Sequence, residues 1–202
     1  MSHSTSNAPA AVDPTARRRS RITLSLIFAV AVAPFALAWL AYLFWEPERH
    51  INHGELIEPR PLPAAPLTRR DGKPFRLEAY KGKWVLLHAD SGACDEPCRK
   101  QLYYMRQARL AQGANRERIE RVWLITDDRA LSPEIAALVD DVALVRAGGS
   151  ALVAALPAPR DPSDHIYLVD PLGNLMLRFP RDPDPKGIVK DLQRLLKVSR
   201  IG

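Results

Sequence analysis

Residues 84–110 read WVLLHADSGACDEPCRKQLYYMRQARL, and their pattern changes from that of a strand to that of a helix. The first seven residues are mostly apolar, which is typical of a strand buried on both faces. Pro97 is suited to the first turn of a helix, and the apolar residues after it recur at helical spacing, which predicts a helix over 96–111. The stretch therefore predicts a strand, a loop that carries Cys94, and a helix with Cys98 in its first turn.

The chain after this stretch alternates between strand-like and helix-like patterns. Strands are predicted over 121–126, 142–147, 165–170 and 175–180, and helices over 133–139, 149–156 and 186–198. Strands separated by helices imply parallel crossovers, whereas the last two strands are close enough to form an antiparallel hairpin. A short hairpin that turns at Asp71-Gly72 precedes the central stretch. We therefore expect one α/β domain over 67–202, with a central mixed sheet flanked by helices.

The chain before this domain contains one strongly apolar segment, residues 22–45, which carries no formal charge. About 20 apolar residues span a bilayer core as a helix. Arginines precede the segment and aromatic residues gather at its end, so the positive-inside rule places the N-terminus in the cytoplasm. A cleaved signal peptide is the alternative, but the segment is long for one and no small-residue cleavage site follows it. The sequence thus predicts a single-pass anchor in a bacterial inner membrane, with a periplasmic domain.

Two polar segments flank the predicted anchor. Residues 1–21 have little apolar surface and a basic end, which predicts a disordered cytoplasmic tail. Residues 46–66 contain five prolines and predict an extended periplasmic tether. The formal net charge is +6, but the arginines of the tail contribute about half of it, so we expect no nucleic-acid partner.

Cys94 and Cys98 are the candidate functional residues. Three residues lie between them at a strand-loop-helix corner, so their sulfur atoms can meet. The free N–H groups and the positive end of a helix stabilise thiolates, which attack disulfides and bind soft metals. Asp95 and Glu96 disfavour ionisation of the thiols, although they favour a bound cation. The alternative is an inert or permanently bonded pair.

Three motifs of this chain resemble those of the Sco/SenC family of thioredoxin-fold proteins, over about residues 67–198. They are Gly82-Lys83-Trp84-Val85-Leu86-Leu87, Cys94-x-x-x-Cys98 and Tyr167-Leu168-Val169-Asp170-Pro171-Leu172-Gly173-Asn174. The resemblance implies copper handling and thiol-disulfide chemistry during assembly of the CuA centre of cytochrome c oxidase. It also implies a Cu(I) site made of Cys94, Cys98 and one distant histidine, with an oxidase subunit or another assembly factor as partner.

The histidine of this implied copper site is the part of the resemblance that this chain does not match. Pro162 occupies the place of the family's ligand, and the nearest histidine is His165. His165 is the candidate third ligand if the loop 159–164 is rebuilt around it, because an odd shift along a strand turns a side chain to the opposite face. His88 is a weaker candidate, because a central strand is expected to bury it away from the site.

Three functions stay open from the residues. The first is a metallochaperone that binds Cu(I) through Cys94, Cys98 and His165 and delivers it to an oxidase. The second is a thiol-disulfide reductase, with Cys94 as nucleophile and Cys98 as resolving thiol. The third is a non-catalytic assembly protein with a vestigial cysteine pair. Thioredoxin-like oxidoreductases usually have two residues between their cysteines, and peroxiredoxins have a proline where this chain has Leu87, so both families match less well.

Overall fold

The structure is a computed structural model that describes residues 14–44, 52–199 and 201. Most of the predicted tail, residues 1–13, and the first part of the predicted tether lie outside the described residues. The chain divides into two units, Met1–Arg49 and His50–Gly202.

The first unit contains the helix α1, Pro14–Phe44. Its segment Arg21–Leu40 is long enough and apolar enough to cross a membrane, which agrees with the predicted single apolar helix. The helix begins earlier than predicted, because residues 14–21 are helical rather than disordered. Proline is favoured in the first helical turn and arginine is a good helix former, so this segment extends the apolar helix.

The second unit is a single eight-stranded mixed sheet with helices packed against it. Its strands are β1 Glu55–Pro61, β2 Leu67–Arg69, β3 Pro74–Phe75, β4 Trp84–Asp90, β5 Ile119–Ile125, β6 Ala143–Arg146, β7 Ile166–Val169 and β8 Asn174–Phe179. Its α-helices are α2 Glu96–Leu110, α3 Pro133–Leu138, α4 Ala151–Ala154 and α5 Pro185–Val198, with 3-10 turns at Leu77–Tyr80, Gly113–Arg118 and Pro162–Asp164. This architecture confirms the predicted α/β fold.

The strand order is β1-β8-β7-β4-β5-β6-β2-β3. The central strands β4, β5 and β6 run parallel, as crossovers through helices require. The pairs β7-β8 and β2-β3 are antiparallel, so both predicted hairpins are present. The β2-β3 hairpin contains Gly72 with a φ of +83°, a left-handed conformation that glycine adopts at little cost. Strand β4 lies near the middle of the sheet, and its end presents the cysteine loop.

The two faces of β4 pack into two separate hydrophobic layers. Trp84 and Leu86 face the layer that holds α2 and α5. Val85 and Leu87 face the opposite layer, which includes Leu152 of α4. Because side chains alternate along a strand, His88 lies on the same face as Trp84 and Leu86, beneath α2. Because α2 carries Cys98, this alternation allows the side chain of His88 to approach the cysteines.

Strand β1 lies within the segment predicted to be a tether, so the expected domain start at 67 is too late. β1 pairs with β8 at one edge of the sheet, and its pairing shifts register between Leu56 and Arg60. The prolines fit this position, because an edge strand tolerates residues that cannot donate a ladder hydrogen bond. The buried Asp191 of α5 also accepts hydrogen bonds from the backbone N–H groups of His53 and Gly54, at 2.8 and 2.9 Å. The sheet therefore extends upstream into the proline-rich segment.

Candidate functional site

The candidate site lies where β4 ends and α2 begins. Asp95 caps α2, and its Oδ1 accepts a hydrogen bond from the backbone N–H of Cys98 at 3.2 Å. Pro97 stands in the first helical turn, where its missing N–H costs no helical hydrogen bond. These residues start the helix at Glu96, so Cys98 lies in the first turn as predicted.

Cys94 and Cys98 form a disulfide, with their Cα atoms 5.1 Å apart. Both cysteines are completely buried, with 0% of each residue exposed. Their sulfur atoms therefore meet as predicted, in the oxidised form of the pair. A protein dithiol can reach this disulfide only if the loop moves, and a metal ion can bind the sulfurs as thiolates only after the pair is reduced.

The loop before Cys94 is held by the carboxylate of Asp127, which follows β5. The Ser91 hydroxyl donates to Asp127 Oδ2 at 2.6 Å, and the Gly92 N–H donates to Oδ1 at 2.8 Å. The hydrogen bond from Ser91 is the main cause that lowers the pKa of Asp127, followed by that from Gly92. A side chain at position 92 would collide with the carbonyl oxygen of Arg129, 2.4 Å from an added Cβ. Asp127 and this close approach fix the path of the cysteine loop.

His88 is the buried histidine of this corner, with 0% of the residue exposed. Its Nδ1 lies 3.0 Å from the backbone carbonyl oxygen of His165. Its Nε2 lies 3.5 Å from Asp90 Oδ2 and has no hydrogen-bond partner. A ring nitrogen of His88, a carboxylate oxygen of Asp90 and the Sγ of Cys98 lie within 4.8 Å of one another. β4 does bury His88, but the expectation that it buries His88 away from the cysteines is wrong. His88 lies on the face of β4 that is covered by α2, the helix that carries Cys98.

His165 lies immediately before β7, and its ring contacts β8. Its Nδ1 lies 2.9 Å from the carbonyl oxygen of Phe179 on β8, and the residue lines a cavity beside His53 and Arg178. Among the described residues, the group of three ligand atoms that meets the 4.8 Å limit does not include His165. The His165 ring therefore contacts β8, and the histidine grouped with the Cys98 sulfur is His88.

A cleft opens next to this corner, with a volume of about 280 Å³. Asp90 and Ser91 line it on one side, and Asp161 and Ser163 line it on the other. The Asp90 side chain is 19% exposed, so its carboxylate lies between solvent and the buried His88. Backbone and side-chain hydrogen bonds from Ser163 lower the pKa of Asp161, which keeps that carboxylate ionised. The cleft therefore has an acidic lining, and one of its carboxylates, that of Asp90, lies 3.5 Å from the buried imidazole of His88.

Solved structures of Sco proteins resemble this chain. Apo Sco1 from Thermus thermophilus matches with a TM-score of 0.56 and 21% identity, over 73% of this chain and 99% of that chain. Yeast Sco1 with copper bound matches with a TM-score of 0.58 and 17% identity, over 71% of this chain and 96% of that chain. At these identities the likeness shows a shared thioredoxin-like fold and nothing more specific.

The same fold is found in a redox protein. The thioredoxin domain of a thiol-disulfide oxidoreductase from Bacteroides vulgatus matches with a TM-score of 0.50 and 18% identity, over 70% of this chain and 99% of that chain. No curated protein sequence matches the chain. The family model described as the transmembrane-like, thioredoxin-like, C-terminal domain matches residues 84–199, a segment that contains β4, the cysteine corner and α5. The chain therefore belongs to the family of transmembrane-like, thioredoxin-like C-terminal domains.

Proposed function

We propose that this protein is a membrane-anchored carrier of Cu(I) for the assembly of cytochrome c oxidase, with its domain on the periplasmic side of a bacterial inner membrane. The observation that carries the proposal is the buried pair Cys94 and Cys98, which meet at the start of α2. Two thiolates are soft ligands that suit Cu(I). Copper is also bound in the yeast Sco1 structure that shares this fold.

The disulfide form of the pair is the form that cannot hold the ion. A protein dithiol donates two electrons and two protons to the Cys94–Cys98 disulfide and becomes a disulfide itself. The reduced pair then binds Cu(I) and releases its two thiol protons. Delivery needs no further electron, because thiolates or imidazoles of the client replace those of the carrier on the ion. The oxidation state of the pair thus decides whether the protein is ready to load.

The apolar helix favours a dedicated carrier over a general reductant. A membrane-spanning helix such as Arg21–Leu40 confines the domain to targets near the bilayer. An oxidase subunit or a membrane-bound assembly factor meets that condition.

A thiol-disulfide reductase is the second candidate, and the closed disulfide at a helix N-terminus favours it. In that mechanism the thiolate of Cys94 attacks a client disulfide, and Cys98 resolves the mixed disulfide and releases the reduced client. The client gains two electrons while the pair returns to its disulfide. The oxidoreductase from Bacteroides vulgatus shows that this fold also supports such redox proteins.

Copper titration separates these candidates. We expect the reduced full chain in detergent to take one Cu(I) from a chromogenic chelator, and the oxidised chain to take none. Cys94→Ser and Cys98→Ser should each weaken binding by at least roughly tenfold, because a hydroxyl is a poor ligand for a soft ion. Failure of the reduced chain to bind copper, with rapid exchange between its disulfide and a protein dithiol, would establish the reductase instead. A chain that neither binds copper nor exchanges its disulfide would instead be a non-catalytic assembly protein.

A further inference from the structure

We infer that Nε2 of His88 is the third ligand of the Cu(I) ion held by Cys94 and Cys98, an inference that rests on the proposed function. The third donor would then come from β4, the strand that precedes the cysteine loop, and not from the segment before β7. Strand, loop and helix start would supply the whole site within residues 88–98.

The hydrogen bond at Nδ1 leaves Nε2 as the nitrogen with a free lone pair. The partner of Nδ1 is the backbone carbonyl oxygen of His165, and a carbonyl oxygen only accepts. Nδ1 therefore carries a proton, so Nε2 is the ring nitrogen that can offer a lone pair to the site. Carbonyl contacts of this kind, made by the ring nitrogen that does not bind the metal, orient metal-binding imidazoles in many proteins. The pairing of β4 with β7 keeps this contact in place, because it puts His88 opposite Ile166.

The surroundings of Nε2 offer it no donor. Asp90 Oδ2, which is also an acceptor, lies 3.5 Å from Nε2, and Nε2 is buried with no hydrogen-bond partner among the described residues. A buried polar atom of this kind normally has a partner. The Sγ of Cys98 belongs to the same group of ligand atoms within 4.8 Å. The Cys98 sulfur becomes a thiolate on reduction, so this sulfur and the lone pair of Nε2 can bind one cation between them.

The donor atoms differ in how well they suit Cu(I), and this difference separates the thiolate and imidazole ligands from the carboxylate of Asp90. Thiolates and imidazole suit Cu(I), whereas carboxylate oxygen suits harder ions. Asp90 is partly exposed and lines the acidic cleft, so it is placed to attract an incoming cation without staying bound to it. Cys94, Cys98 and His88 then form the complete set of ligands for Cu(I).

The test compares two matched variants of the reduced full chain in detergent. His88→Asn keeps a side-chain N–H near the position of Nδ1 but has no Nε2, and His165→Asn does the same at the other histidine. We expect His88→Asn to weaken Cu(I) binding at least roughly tenfold, and His165→Asn to leave it within about twofold. The X-ray absorption spectrum of the wild-type Cu(I) protein should show two sulfur atoms and one imidazole, and only His88→Asn should lose the imidazole.

The outcomes separate this inference from the carrier function. Wild-type protein that binds Cu(I) through sulfur alone, or an imidazole signal that survives in His88→Asn, overturns the ligand role of His88 and leaves the carrier intact. Failure of the wild type to bind Cu(I) overturns both. Should His88→Asn not fold, the variant that lacks every other histidine decides, because a retained imidazole signal then belongs to His88. Its substitutions, all to Asn, are at His3, His50, His53 and His165.

Discussion

Cys94 is held in a backbone conformation that a side chain disfavours. Its φ is +42°, in the left-handed region, where residues other than glycine lose about 1 to 2 kcal/mol. The loop keeps this shape through contacts outside it, chiefly those of Ser91 and Gly92 with Asp127. We therefore expect the reactivity of the disulfide to depend on Asp127, which holds the loop through Ser91 and Gly92.

Acid should loosen this loop, because the pKa of Asp127 is lowered by the hydrogen bonds that it accepts, first from Ser91. A carboxyl group with a lowered pKa in the folded protein contributes its full stabilisation above its ordinary value of 3.8. The contribution is lost as the pH falls through the lowered value. We expect reduction of the disulfide by a phosphine, relative to a model disulfide, to accelerate several-fold below about pH 4.

Two variants at Asp127 provide the control for this pH dependence. Asp127→Ala removes the acceptor, so its disulfide should be reduced faster than the wild type at neutral pH, with no acceleration in acid. Asp127→Asn keeps an acceptor for Gly92 and cannot ionise, so its rate should be slower than that of Asp127→Ala and independent of pH. Equal rates for wild type and Asp127→Ala at neutral pH would mean that Asp127 does not control access to the sulfurs.

At the scale of elements, the cysteine corner was predictable and the imidazole next to it was not. A buried strand, a loop and a proline-started helix place Cys94 and Cys98 from local pattern alone. The place of His88 depends on which face of β4 the helix α2 covers, and that is a long-range choice. One signal was present in the sequence. His88 and Asp90 are separated from Trp84 and Leu86 by even numbers of residues, so all four lie on the same face of the strand. That face becomes polar just before the cysteine loop.

The edge strand β1 was missed for a related reason. Its sequence, ELIEPRP, lacks the apolar alternation of a strand, and its prolines favour an extended tether. The contacts that hold it come from distant elements, β8 and Asp191 of α5. Gly187 contributes as well, because a Cβ there would lie 2.6 Å from the His53 ring. Long-range pairing thus overrides a local pattern in this segment.

Removal of the Asp191 carboxylate should loosen the attachment of β1 to the edge of the sheet. Asp191→Ala leaves the N–H groups of His53 and Gly54 without their acceptor, so we expect a loss of about 2 to 4 kcal/mol in the free energy of unfolding. The variant should also be cleaved by protease near residues 52–61 before the rest of the domain. Lys190→Ala, at an exposed neighbouring position, serves as the control and should change neither property. Equal protease resistance of Asp191→Ala and wild type would show that β8 alone retains β1.

The two units of the molecule differ in how their apolar side chains are exposed. The helix α1 exposes apolar side chains along its described length, including Phe28 and Phe35, and such a surface needs a lipid environment. The second unit contains two hydrophobic layers of its own. The proposed function joins them, because a carrier that loads near its client gains from confinement to the same bilayer.

The positive-inside rule makes this arrangement testable through the arginines before the apolar span. We expect the full chain to stay in the membrane fraction after alkaline carbonate extraction, and a protease added to spheroplasts to digest the domain from outside. Replacement of the basic cluster by glutamine should retain the protein on the inner side in part of the population, because the charge bias that sets orientation is lost; the substitutions are at Arg17, Arg18, Arg19 and Arg21. A cytoplasmic protein of known location controls for leakage. Protection of the wild-type domain in intact spheroplasts, with digestion only after lysis, would place the cysteine pair in the cytoplasm and remove the periplasmic carrier from consideration.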